Sequence, residues 1–106
     1  MDASKYLPLT ESTFYILLSL DEPRHGYGIM QKVADMSGGD VRIGPGTLYG
    51  AFSMLEKQKL IVMVREEDRR KIYALTADGR TVLQAQLART RRLLGNLPSC
   101  CSPLAA

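Results

Sequence analysis

Apolar residues recur along most of this chain at helical intervals, with polar or glycine-bearing breaks between them. Phe14, Leu17 and Leu18 make a first stripe, which Ile16 and Leu20 widen. Thr10 is a suitable cap for that helix, and Asp21-Glu22-Pro23 ends it after Leu20. A helix apolar over so much of its circumference lies centrally or touches two partners. Ile29, Met30 and Val33 give a second helix its core face, and Gly38-Gly39 terminates it beyond Ser37. A third helix starts in the stretch Gly44 to Ile61. Gly44 suits its cap, Pro45 suits its first position, and Leu48, Phe52 and Leu55 recur at i, i+4 and i+7. The period then changes. Ile61–Glu66 reads as a strand, Glu67–Arg70 as a charged turn and Lys71–Leu75 as the returning strand, with Tyr73 and Leu75 on one face. So small a hairpin must pack on the helices to be stable. Thr76 caps a last helix that runs to about Leu94, with Asp78 in its first turn and Gly95 and Pro98 as stop signals. Met1–Leu9 lacks periodicity and reads as an arm. The expected fold class is mainly α with a small β-hairpin.

The third helix carries the chemistry. Opposite its apolar face stand Thr47, Gly50, Ser53, Met54 and Lys57, with Tyr49 at the border. A merely solvated helix carries more Glu and Lys than this. A small, hydroxylated face with one late cation suits a helix laid in the major groove of DNA. Tyr49 has two readings, a DNA contact or a packing partner of Phe52.

The last helix raises a different question. Leu83, Leu87, Thr90 and Leu94 form a stripe widened by Val82 and Ala85, while Arg80, Arg89, Arg91 and Arg92 occupy other faces. The preceding elements already close a unit, so this stripe calls for a partner, and dimerisation is the economical answer.

Charge sharpens the DNA reading. Residues 1–40 carry a net −3 and residues 41–106 a net +6, so the half with the third helix is the basic one. Such asymmetry points to a polyanion, against the plainer reading of a solvated basic surface. Arg69, Arg70 and Lys71 at the hairpin tip share that ambiguity, since three acids precede them and a local ion-pair cluster is an alternative. The second helix opens at His25-Gly26-Tyr27-Gly28. A lone His there reads as a cap, and a helix start flanked by Arg24 and two glycines is a natural phosphate seat.

Other classes fall away. The 106 residues suffice for one domain and one modest core. No apolar run reaches membrane-spanning length and no basic region precedes an apolar stretch at the start, so the cytoplasm is the expected location and no membrane partner is expected. Cys100 and Cys101 are adjacent and close no useful loop. With one His, no paired carboxylates and no nucleophile constellation, neither a metal, a cofactor nor an enzyme activity is expected.

Three motifs in order resemble the PadR family of transcriptional regulators, in its short, single-domain subfamily. His25-Gly26-Tyr27-Gly28-Ile29 is similar to its second-helix signature. Gly46-Thr47-Leu48-Tyr49 with Leu55-Glu56 and Leu60-Ile61 is similar to its recognition helix. Arg70-Lys71-Ile72-Tyr73-Ala74-Leu75-Thr76, followed by Gly79, is similar to its wing and final helix start. The match spans residues 10–95. The family often has Gly where Lys59 stands and Leu where Phe52 stands, changes read as conservative for the fold.

The resemblance implies a winged helix-turn-helix over residues 1–75, a C-terminal dimerisation helix over 76–95 and a flexible tail over 96–106. It implies a homodimeric repressor of nearby genes, released by a small-molecule inducer. The expected DNA contacts are Thr47, Tyr49, Ser53 and Lys57 in the major groove of double-stranded DNA, Tyr27 and Lys5 on phosphates, and Arg69, Arg70 and Lys71 of the wing on the backbone or minor groove. Leu83, Leu87 and Leu94, with Phe14 from the first helix, are the expected dimer contacts. A small apolar or aromatic inducer would sit between those helices, near Phe14. The competing expectation is a winged-helix protein-interaction module without DNA binding, marked by an acidic or bulky apolar recognition face.

Overall fold

The computed structural model describes residues 1–97. Four helices carry a small antiparallel sheet. Their order is α1 (Glu11–Leu18), β1 (Arg24–His25), α2 (Gly26–Met36), α3 (Pro45–Lys57), β2 (Ile61–Glu67), β3 (Arg70–Leu75) and α4 (Ala77–Gly95). Short 3-10 turns at Ala3–Tyr6 and Ser19–Asp21 flank α1. No described helix is long and apolar enough to cross a membrane.

The helix starts follow from local chemistry. The Thr13 N–H donates to the Thr10 hydroxyl, the Gly28 N–H to His25 Nδ1, and the Gly79 N–H to the Thr76 hydroxyl. Each bond satisfies a donor that the first turn would otherwise leave open. Pro45 stands at the start of α3, where its missing N–H is harmless. Both Gly38 and Gly39 have positive φ where α2 ends.

Ile16, Leu17 and Leu20 meet Ile29 and Val33 of α2, Leu48, Phe52 and Leu55 of α3, and Val82 of α4 in one core. Phe52 lies 4.4 Å from Tyr73 between ring centres, tying α3 to β3. Burial holds the Tyr73 phenol above its ordinary pKa, helped by Glu56 and Tyr49.

Several expectations need correction. The hairpin is one part of a three-stranded sheet of order β1-β3-β2. The extra strand pairs Arg24 with Tyr73 and His25 with Ile72. The first-helix stripe is rotated: Ile16, Leu17 and Leu20 are buried, while Phe14 and Leu18 remain half-buried. On α4 the face against the domain is Gly79, Val82 and Gln86. Gln86 is buried and its Oε1 accepts the Leu9 N–H at 2.8 Å, clasping the arm to α4. The ladder between β2 and β3 carries a bulge at Val64, because Met63 faces Tyr73 and Arg65 faces Ile72. The tail expected from Asn96 lies outside the described residues from position 98 onward; Asn96 itself caps α4.

The helix expected within Gly44–Ile61 stops at Lys57. Lys59 takes φ +61°, its N–H bonds the Glu56 carbonyl, and the Leu60 N–H bonds the Leu55 carbonyl. This paired closure asks for a left-handed residue at position 59, where glycine is unstrained. Lys59 is therefore not a neutral replacement for Gly. Lys59→Gly should stabilise the protein by about 0.5–1 kcal/mol, relief of left-handed strain outweighing the added unfolded-state entropy. Thermal melts would show a rise of a few degrees, and an unchanged or lower Tm would refute the strain.

Candidate nucleic-acid interface

α3 presents two faces because its apolar residues are spaced to lie on one side. Leu48, Phe52 and Leu55 are buried, and Thr47, Ser53 and Lys57 are exposed on the other side. Tyr49 keeps features of both readings. Its ring meets Phe52 edge-on at 5.8 Å, yet 55% of the residue is exposed, so it is not core. The hydroxyl instead approaches Gly26, where an added Cβ would lie 3.1 Å from it.

Three elements converge beside Tyr49. The wing turns at Asp68-Arg69, both with positive φ, which reverses the chain tightly and leaves Arg69, Arg70 and Lys71 exposed at the tip. β1 hydrogen-bonds to β3 and so fixes the start of α2 against that wing. The result is a groove of about 510 Å³ lined by His25, Gly26, Tyr27, Tyr49, Arg69, Arg70, Lys71 and Tyr73. Tyr27 is 57% exposed, stacks 6.5 Å from the His25 ring, and accepts a hydrogen bond from Gln31.

The structure thus brings Tyr27 and Tyr49 together with the three wing cations. Thr47 lies apart from them, in a second groove of about 330 Å³ that includes Gly50 and Met54 of α3 and Tyr6, Pro8 and Leu9 of the arm. Ser53 and Lys57 line neither groove and stand exposed further along α3. Lys5 belongs to the arm, with its ammonium 5.1 Å from the Tyr6 ring. On α4, Leu87 is half-buried, and Leu94 with its neighbour Leu93 is exposed, at 62% and 72%. Leu83 packs against the edge of the domain core.

Electrostatically the tip is unneutralised. Among the described ion pairs, Arg65 joins Glu67, but none includes Arg69, Arg70 or Lys71. Of the alternative ion-pair cluster at the tip, that one pair is present among the described residues. Arg24 departs from its expected place. Its guanidinium is bound to Asp21, Glu22 and the Ser19 carbonyl, and its hydrogen bond holds the Asp21 carboxyl below its ordinary pKa. Arg24 braces the end of α1 and does not face the groove. The cation beside the start of α2 is Arg70, whose Nη1 lies 3.4 Å from His25 Nε2. No local pattern announces that pairing, because it joins residues 45 apart through the β1–β3 ladder.

The arrangement suits a polyanion: a basic rim, hydroxylated aromatic walls and an adjoining helix face on which Thr47, Ser53 and Lys57 are exposed, with Glu56 the one acid of α3. Comparison with known proteins agrees. The model of the transcriptional regulator PadR-like family matches residues 16–85. A 37.1 kDa protein of transposon TN4556 from Streptomyces fradiae is 38% identical over 77 residues, 73% of this chain and 22% of that protein. The transcriptional regulator YqjI of Escherichia coli is 33% identical over 63 residues, 59% of this chain and 30% of that protein. The chain thus spans less than a third of either relative's length. The crystal structure of a PadR family transcriptional regulator from Eggerthella lenta superposes with a TM-score of 0.67 at 27% identity, covering 83% of this chain and 75% of that one. With the family model matched from α1 into α4, and the winged helix expected of that family observed, the chain belongs to the PadR-like family of transcriptional regulators.

Proposed function

We propose that the protein is a sequence-specific, DNA-binding repressor that works in the cytoplasm as a homodimer. The observation that carries this reading is the groove in which Tyr27, Tyr49 and three unpaired wing cations meet beside the exposed face of α3. Thr47, Tyr49, Ser53 and Lys57 would read the major groove. Tyr27 and Lys5 would hold phosphates, and Arg69, Arg70 and Lys71 would follow the backbone from the wing. Residues 1–75 would carry these contacts and residues 76–95 the dimer, with Phe14 of α1 supporting Leu83, Leu87 and Leu94. A small apolar or aromatic inducer between the paired helices would release the DNA. The phosphate contacts would position the protein, and the base contacts would specify sequence.

A gel-shift titration on the DNA upstream of the protein's own gene, repeated across salt concentrations, tests the reading. Affinity should fall by about 0.9 log unit per log unit of salt for each phosphate neutralised. Replacing Arg69 and Arg70 together by Ala should weaken all duplexes alike and reduce that slope by nearly 2 units if each covers one phosphate. A slope that stays the same takes the wing off the contact surface, and no salt-sensitive binding to any duplex sinks the function.

A further inference from the structure

We infer that His25 and Arg70 form a two-donor clamp for a single DNA phosphate, joining the helix-turn-helix to its wing through the bound backbone. The inference rests on the DNA-binding reading above and adds a residue that reading treats only as a helix cap.

The Gly28 N–H donates to His25 Nδ1 at 3.0 Å, so Nδ1 must present its lone pair. A neutral ring with a lone pair on Nδ1 carries its hydrogen on Nε2. Nε2 is therefore a donor, and it faces Arg70 Nη1 at 3.4 Å. A guanidinium has five donors and no acceptor. Two donors side by side cannot satisfy each other, and one acceptor within reach of both would serve the pair. Nor can the ring adjust by moving its proton, because Nδ1–H would then confront the Gly28 N–H and open the start of α2.

The groups around the pair narrow the acceptor. Arg69 and Lys71 stand on the same groove rim, and Tyr27 lies nearly parallel to the imidazole, 6.5 Å away between ring centres. Glu67 and Asp68 border the other side of the pair. Glu67, which already accepts from Arg65, and Asp68 are the internal competitors. A phosphodiester oxygen fits better than a single turn carboxylate: the rim offers three cations, and phosphate accepts from several donors at once through charge-assisted bonds. His25 supplies direction without charge, and Arg70 supplies charge. Their contact spans β1 and β3, so the clamp would grip the phosphate from α2 and the wing together.

The test separates His25's two roles. Asn is as good a helix cap as His, but it is too short to reach the groove. The probe is a duplex that the wild-type protein recovers from a random-sequence pool. His25→Asn should melt like the wild type and bind that duplex about tenfold more weakly, the loss expected for one hydrogen bond to a charged group. Its salt slope should be unchanged, since a neutral donor displaces no counterion. Arg70→Ala should lower the slope by about 0.9. The double variant should bind little worse than the weaker single variant, because both residues hold one acceptor. His25→Asp, which keeps a cap but sets a carboxylate against the phosphate, should bind worse than His25→Asn. Neutral methylphosphonates placed one at a time along the duplex should reveal one position that weakens the wild type, still weakens His25→Asn through the Arg70 that remains, and leaves the double variant indifferent.

A His25→Asn protein that binds like the wild type overturns the clamp. So do additive losses in the double variant, or sensitivity to different phosphates in the two singles. In each of those cases DNA binding itself survives. If the wild type recovers no duplex, the DNA reading falls and the clamp with it.

Discussion

Gly79→Ala should be among the most damaging single-methyl additions in this protein. A Cβ at position 79 would lie inside the carbonyl oxygen of Leu60, with the Leu60 carbonyl carbon also too close. The obstacle is backbone that cannot swing aside. The same carbonyl accepts the Thr76 N–H at 3.1 Å, and the Thr76 hydroxyl donates to the Lys59 carbonyl at 2.7 Å. The start of α4 is therefore pinned to the segment that joins α3 to β2. Two effects oppose each other. Ala is the better helix former by about 1 kcal/mol. Overpacking costs about 1–3 kcal/mol in a core that can adjust, and more against fixed backbone. The second wins, and we expect a loss of at least about 2 kcal/mol, or roughly 10 °C in Tm for a domain of this size. Gly50→Ala is the control. Gly50 lies within α3 with nothing near its would-be Cβ, so that variant should melt higher than wild type. If Gly79→Ala also melts higher, α4 is not seated on Leu60.

The second large effect concerns assembly. Leu93 and Leu94 are exposed and Leu87 is half-buried along α4, while Val82 and Gln86 face the domain. Burying a leucine is worth about 1.5–3 kcal/mol, so a few such residues from each copy suffice to offset the entropy of pairing. A symmetric pair would place two copies of α3 about 34 Å apart, one turn of duplex, and demand a pseudo-palindromic operator. Leu87→Glu should thus give a monomer that loses tight operator binding by at least about a hundredfold, although no DNA-facing residue has changed. Leu94→Glu should do the same without touching the packing within the protomer, since Leu94 is already 62% exposed there. Sedimentation and a binding titration on the same sample check both. A wild-type monomer, or glutamate variants that pair and bind normally, would take the dimer away from α4.

How much of this was readable in advance depends on how far each feature reaches along the chain. Caps were legible because Thr10, His25 and Thr76 each act on a residue three positions on. So was the α3 face, since Leu48, Phe52 and Leu55 declare it at helical spacing. β1 was not, because two residues make no period and only the edge of β3 turns them into a strand. Gln86 on an apolar-looking helix gave no sign of the Leu9 N–H 77 positions away. Leu60 and Ile61 extended the apolar pattern past the true end of α3, hiding the left-handed turn at Lys59. Family resemblance gave the wing its place in the chain. It did not show that Tyr27, Tyr49 and the wing cations share one groove, or that Arg24 is drawn away from it by Asp21 and Glu22.

The bulge at Val64 bears on a different matter, the protein's behaviour when it is crowded by copies of itself. β2 is the outer strand of its sheet, and Val62, Met63 and Val64 are all exposed along it. A straight apolar edge of this kind is a template on which another chain can add a strand and start a fibril. The extra residue at Val64 breaks the hydrogen-bonding repeat and bends the edge, and Arg65, Glu66 and Glu67 follow it with charge. The irregularity thus serves solubility: it spoils the rail along which copies would otherwise stack at this edge of the sheet.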